Sequence, residues 1–379
     1  MIPTIRNRAA GFAFAVVTGM ALAVLCSALA AHAEAPAYDE SPAACSQVGY
    51  SPHEPGADPR AAPNPGGPTL IGAGVFVTEL RGIDAVRDDF WFRGYLRATW
   101  CDPRLRFDPT ATGVEERVFM DAEAEREINR IWFPAGFPVN RVGQLDISER
   151  VLRIRHDGTV HHDLNLSVHL AADYDLRRFP FDRQVLELQI ESFRWPRDSL
   201  RWVANQASTG FADDFEIPEW RITRVGSRLE EKLAIRNPVA FDHFVFEIEV
   251  ARESGFYLWK VMLPLFIIVA ISWSVFWMTD EPLAGRSRIT ATGVLTIVAY
   301  QFVVAGDLPR IAYLTLLDKV MIASLVLLAV TVVQSMIVAR YQRDDPVGAT
   351  RIDRASRWLF PLVYAGLLLA VAVSSGGLL

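Results

Sequence analysis

Cysteine is scarce in this sequence: three residues in 379. That excludes a scaffold built on disulfides. Only Cys45 and Cys101 lie beyond the apolar N-terminal stretch, and the sequence leaves open whether they pair. Excess charge of one sign is also missing, since a net charge of −6 gives no basis for a nucleic-acid partner. No G-x-S-x-G, H-E-x-x-H or phosphate-loop pattern occurs, so no enzyme is expected. No cofactor or metal is expected either. His161, His162 and Asp163 come closest to a ligand cluster, but neighbouring strand residues point to opposite faces.

What the chain does have is apolar residues, unevenly placed. The mean hydropathy of +0.18 comes mostly from the segment beyond residue 255. At the other end, Arg6 and Arg8 precede an apolar stretch from Gly11 to Ala30, and small residues end at Ala33. This pattern reads as a signal peptide over 1–33, to be removed on export. Residues 34–69 are rich in Pro, Gly and Ala, with too few apolar side chains to offset ordering entropy, and read as a flexible or extended leader. Residues 70–253 change to short alternating runs such as "GVFVTEL" and "QVLELQIES", separated by turn residues. Period-2 alternation of this kind predicts an antiparallel β-sandwich, with only 121–130 unlike a strand.

Four membrane-length segments follow within 254–379, at about 256–278, 287–305, 311–339 and 358–377. The connector 340–357 carries Arg340, Arg343, Arg351, Arg354 and Arg357, which assigns it to the cytoplasm. The β domain and the C-terminus are then both expected on the outer side, as the signal peptide also requires. The second segment is oddly polar. At about 100° per residue, Arg288, Thr292, Leu295, Ala299 and Phe302 form one narrow stripe. Such a stripe suits the wall of an aqueous path, with Leu295 and Phe302 able to close it by dewetting. A helix buried in a bundle, its threonines bonded to its own carbonyls, is the alternative.

The segments "WCDPRLRF" (100–107), "IWFP" (131–134), "DGTV" (157–160) and "YDLRRFPFDRQVLELQIES" (174–192) carry a family resemblance. So do "YLWKVMLP" (257–264), "LTIVAYQF" (295–302), "DLPRIAYLT" (307–315) and "RASRWLFP" (354–361). In order and spacing the set resembles the pentameric ligand-gated ion channels, the Cys-loop receptor superfamily. It is most similar to the bacterial branch, because Ala172 and Leu186 stand where animal members carry the loop cysteines. Ala135 also departs from the usual Asp after the Trp-x-Pro motif. The resemblance implies a homopentamer in a bacterial inner membrane, in contact with lipid, its pore lined by the second span. An extracellular β-sandwich followed by a four-helix transmembrane bundle is the implied fold. A membrane-anchored binding or adhesion module is the more distant reading; it leaves the polar second span unexplained.

The resemblance also implies site residues. Asp84, Asp182 and Arg252 would form a charged cluster where the domains meet, with Phe179, Pro180 and Phe181 resting on a connector stiffened by Pro309. Tyr95, Asn140, Glu191, Phe193, Trp195 and Phe241 would wall an agonist site suited to an amine through cation–π attraction. Protons are the other agonist class, through His156, His161, His162 and His169. For the permeating ion, Arg288 on the stripe favours anions. Asp280, Glu281 and Asp307 weigh toward cations.

Overall fold

In a computed structural model, the structure describes residues 41–50, 58–212, 217–233, 239–278, 283–305 and 311–374. The expected signal segment lies outside them, as do Asp280, Glu281, Asp307 and Pro309. The alternating runs become strands β1 (Thr69–Asp84), β2 (Asp89–Cys101), β3 (Glu116–Met120), β4 (Gly136–Pro138), β5 (Arg141–Arg155) and β6 (Thr159–Ala171). Further along are β7 (Arg183–Ser192), β8 (Leu200–Ala204), β9 (Gly210–Phe211), β10 (Trp220–Leu233) and β11 (Ala240–Arg252). The non-strand stretch is helix α1 (Asp121–Ile128). One sheet runs β3-β5-β6-β2-β1-β8 and the other β10-β11-β7-β4. Between them, Trp100 and Trp132 meet edge to face at 6.1 Å in a core of Leu, Ile, Val and Phe.

Two features differ from an all-antiparallel sandwich with a loose leader. β8 and β9 pair parallel to β1, because the chain reaches them by crossing over from the other sheet instead of turning back in a hairpin. Part of the leader is also packed. Ala43 and Ala44 are buried, Cys45 is disulfide-bonded to Cys101, and the Cys45 N–H donates to Thr159 Oγ1 at 2.9 Å. Gly72 admits this segment, since a Cβ there would collide with Ser41 Oγ. The covering explains why consecutive residues His161 and His162, on opposite faces of β6, are both buried.

Helices α2 (Gly255–Trp277), α4 (Leu316–Asp344) and α5 (Pro346–Ser374) are each long and apolar enough to cross a membrane. Helix α3 (Leu283–Ala305) lies between α2 and α4 in the chain. α2 contains a π-helical turn, Leu258–Met262, just before Pro264. Proline has no N–H for the Lys260 carbonyl four residues back. The Tyr300 hydroxyl of α3 takes up the slack, donating to the carbonyls of Lys260 (2.7 Å) and Val261 (3.1 Å). Gly293 of α3 packs directly on Ser272 of α2, where a Cβ would not fit.

The charged stretch 340–357 is not a separate connector. α4 continues to Asp344 and α5 begins at Pro346, with Asp345 alone between them; its Oδ1 accepts from the Gly348 N–H at 2.9 Å. At 29 residues each, the helices reach about 43 Å, well beyond a hydrocarbon layer of about 30 Å. Charge therefore marks where they leave the apolar region, and does not mark where they end. The inward face of α5 continues through Ala349, Asp353, Ser356, Phe360 and Tyr364, all buried.

Candidate functional site

On α3 two faces are sharply different. Arg286, Thr290, Gly293 and Ile297 are buried, whereas Arg288, Thr292, Leu295, Ala299 and Phe302 are exposed. Leu295 is 70% and Phe302 77% accessible in the single chain. The stripe read from the sequence is thus one continuous open face, joined by Thr296. Thr292 and Thr296 do bond back to the carbonyls of Arg288 (2.9 Å) and Thr292 (2.7 Å), yet each hydroxyl oxygen keeps acceptor capacity for water. The two arginines at the head of this helix part company. Arg288 is exposed, while Arg286 is buried and bonded to Asp353 of α5.

At the junction of sandwich and helices, Arg252 closes β11 with both arms on Asp182, Nε to Oδ1 at 2.8 Å and Nη2 to Oδ2 at 3.1 Å. Its guanidinium stacks on Trp220 (4.1 Å) and Phe179 (4.9 Å). The expected triad needs correction. Asp84 does not reach Arg252: its Oδ1 accepts from the Val86 and Arg87 N–H groups of its own turn, and Oδ2 pairs with Arg87 at 2.9 Å. A short carboxylate at the head of a turn is held by the nearest backbone donors. Glu219, at 3.9 Å from Arg252 Nη1, is the second carboxylate instead.

The loop around Phe179–Pro180 is inserted among the helices. Phe179 is buried against Tyr257 of α2 (4.6 Å), and its carbonyl accepts from the Leu317 N–H of α4 at 3.2 Å. The Tyr313 hydroxyl accepts from the Leu176 N–H at 3.0 Å. Phe181 is exposed and stays outside this packing. No disulfide spans the loop, as Ala172 and Leu186 require; Gln184 stitches it instead. Its side chain accepts from the Asp175 N–H (3.0 Å) and donates to the Asp175 carbonyl (2.9 Å) and to Asp182 Oδ2 (2.7 Å).

The expected agonist residues divide three ways. Glu191 and Phe193 line an open cleft of about 410 Å³ with Phe137, Pro138, Val139 and Arg141 at the β4 edge of the second sheet. Phe241 lies on β11 two residues before His243, which pairs with Glu191, and is not among the residues that line the cleft. Tyr95 is half exposed on β2, in the other sheet, and is not part of this cleft. Asn140 and Trp195 are not among the residues lining the cleft. Asn140 donates to the Ala171 and Glu187 carbonyls and accepts from the Gln189 N–H, tying the two sheets together. Trp195 donates to the Phe133 carbonyl at 2.8 Å and packs on Trp132 at 5.6 Å. The sequence reading missed Phe137 and Arg141, and also His243, whose Nε2 sits 2.5 Å from Glu191 Oε2. Strand alternation was the available signal for His243, since Phe241 and His243 share a face of β11.

Of the histidines considered as proton sensors, burial pushes His161 and His162 down to about 4, so neither titrates near neutral pH. His156 and His169 remain toward solvent, beside Glu115 (3.0 Å) and Asp89 (3.6 Å).

Residues 53–254 match the model of the neurotransmitter-gated ion-channel ligand binding domain. A gamma-aminobutyric acid receptor subunit beta-4 from Gallus gallus is 24% identical over 315 residues, covering 79% of this chain and 62% of that protein. A proton-gated ion channel from Gloeobacter violaceus is 26% identical over 314 residues, covering 80% of this chain and 83% of that protein. The chain thus spans less than two thirds of the length of the first of these relatives.

Proposed function

The chain belongs to the family of the neurotransmitter-gated ion-channel ligand binding domain, and we propose that it is one subunit of a homopentameric ligand-gated channel. In this reading the β-sandwich faces the periplasm of a bacterium and α3 helices from five subunits surround the pore. An agonist at the cleft of Glu191 and Phe193, with Phe241 nearby on β11, biases the pore through the Phe179 loop and the Arg252–Asp182 pair. Tyr95 of the adjacent subunit completes the cleft from the other side.

The open face of α3 carries the proposal. Leu295 and Phe302 alone would suit lipid, but the same face holds Arg288, Thr292 and Thr296. An arginine toward hydrocarbon is costly unless it bends back to the interface. Five such faces turned to a common axis put the arginine and threonines in water and let Leu295 constrict the path. Arg252 supports the coupling step, because it lies just before α2 and touches both β10 and the Phe179 loop.

Glu191 and the aromatic rings suit an ammonium group, and Arg141 in the same cleft offers a partner for an anionic end. Proton activation is the second reading. It is favoured by the His156–Glu115 and His169–Asp89 pairs, in each of which one partner is exposed, and by the likeness to a proton-gated channel. Anions are the favoured permeant class, through Arg288. Purified full-length protein in bilayers should pass current on addition of an amine or of acid. Leu295→Ser should hydrate the constriction and raise agonist sensitivity or leak. An unchanged dose–response curve removes Leu295 from the gate, and absence of any current under both stimuli removes the channel.

A further inference from the structure

Among the described residues of the helical bundle Arg286 is the deepest charge, 1% exposed, and its partner Asp353 on α5 is 2% exposed. Arg286 Nη2 meets Asp353 Oδ1 at 2.7 Å. Gln334 of α4 donates to the same oxygen at 3.0 Å and to Ser356 Oγ at 3.3 Å. Three helices therefore meet at one carboxylate. A buried ion pair adds little net stability over apolar packing, so its presence calls for another role, and fixing a register is the best attested one. The geometry supplies that role. Residues two apart on a helix point about 200° apart, so a contact that holds Arg286 against α4 and α5 turns Arg288 the opposite way.

We propose that Asp353 is a positioning residue for the pore: by holding Arg286 on the buried side of α3, it sets the helix rotation that presents Arg288 to the ion path. This rests on the channel reading above. It also removes one of two neighbouring arginines from the field at the mouth, leaving a single ring to act on the ion. When the carboxylate is neutralised, the Arg286 guanidinium is left charged in an apolar site. Rotation of α3 toward the water-filled axis relieves that, carrying Arg286 toward the lumen and Arg288 away from it.

The test uses the full-length channel with Cys26 replaced by Ser, since Cys45 and Cys101 are already joined. Cysteine is placed singly at 287, 288 and 289, and a small charged methanethiosulfonate is applied during activation. In the parent, modification at 288 should change the current fastest. In the Asp353→Asn background that contrast should be lost, and the reversal potential under a salt gradient should shift with it. Asp353→Glu should keep both. Should Asp353→Asn fail to assemble, Asp353→Ser leaves the same guanidinium unpaired beside a smaller side chain and should lose the contrast as well. The parent pattern kept in either background overturns the positioning role. Current in the parent without modification at 288 overturns the pore stripe itself, and the positioning role with it.

Discussion

Single residues explain both what the sequence reveals and where it misleads. Ala135 adopts φ +49°, in the left-handed region that costs a residue with a Cβ about 1–2 kcal/mol. The turn persists because its neighbours hold it: the Ala135 carbonyl accepts from the Phe193 N–H, and the Pro134 carbonyl accepts from Ser192 Oγ. Asparagine tolerates this conformation, so Ala135→Asn should stabilise the full chain by about 1 kcal/mol, read as a raised midpoint of thermal unfolding. The buried histidines make a second residue-scale prediction. Unfolded histidine titrates near 6.5, whereas His161 and His162 titrate near 4 in the fold. Between those values the unfolded chain binds more protons, so stability falls as pH drops from 6.5 toward 4 and is unaffected above 6.5. His162→Leu should flatten the decline in melting temperature between pH 7 and pH 5. Asn140 and Trp195 show the limit of reading residues alone. A polar or aromatic side chain beside a cleft and one fastening two sheets look alike in sequence, because their backbone partners lie far along the chain.

At the scale of elements, periodicity was legible and ends were not. The strands and the α3 stripe follow from patterns of 2 and 3.6 residues, which burial imposes directly. The α4–α5 junction differs from a separate connector because Ala349, Asp353 and Ser356 keep the inward face going beneath exposed arginines. The Phe179 loop is half legible: Asp182 and Arg252 stand out in the sequence, while the contacts of Gln184, Glu219 and Tyr257 depend on β7, β10 and α2 coming together. Arg252→Ala tests that junction. It leaves the Asp182 carboxylate, 1% exposed, with Gln184 but without its cation, at a cost of about 3–5 kcal/mol. Because Arg252 touches no residue of the agonist cleft, activation should weaken while agonist affinity holds. Arg252→Lys, which keeps the charge and loses the two-armed contact, should fall between. Equal losses in binding and gating would place Arg252 in general folding and not in coupling.

For the whole molecule, the sign of the permeating ion is the prediction that depends on assembly. Within one chain Arg288 is only an exposed side chain; in the proposed assembly, five around a narrow path would face one another across poorly hydrated space. Their summed field is then screened far less than in bulk water. That field attracts anions and repels cations, and the Arg286–Asp353 pair neither adds to it nor cancels it, being buried and mutually neutral. Asp280 and Glu281, just before α3 in the sequence, are the groups able to draw the arginine heads aside, since a long side chain can bend toward the surface. Reversal potentials under a chloride gradient, with a large impermeant cation, separate the cases. A potential that tracks chloride supports the arginine ring, and Arg288→Glu should then reverse or abolish the preference. A potential that follows sodium or potassium refutes anion selectivity while leaving the open face of α3 as the wall of the pore.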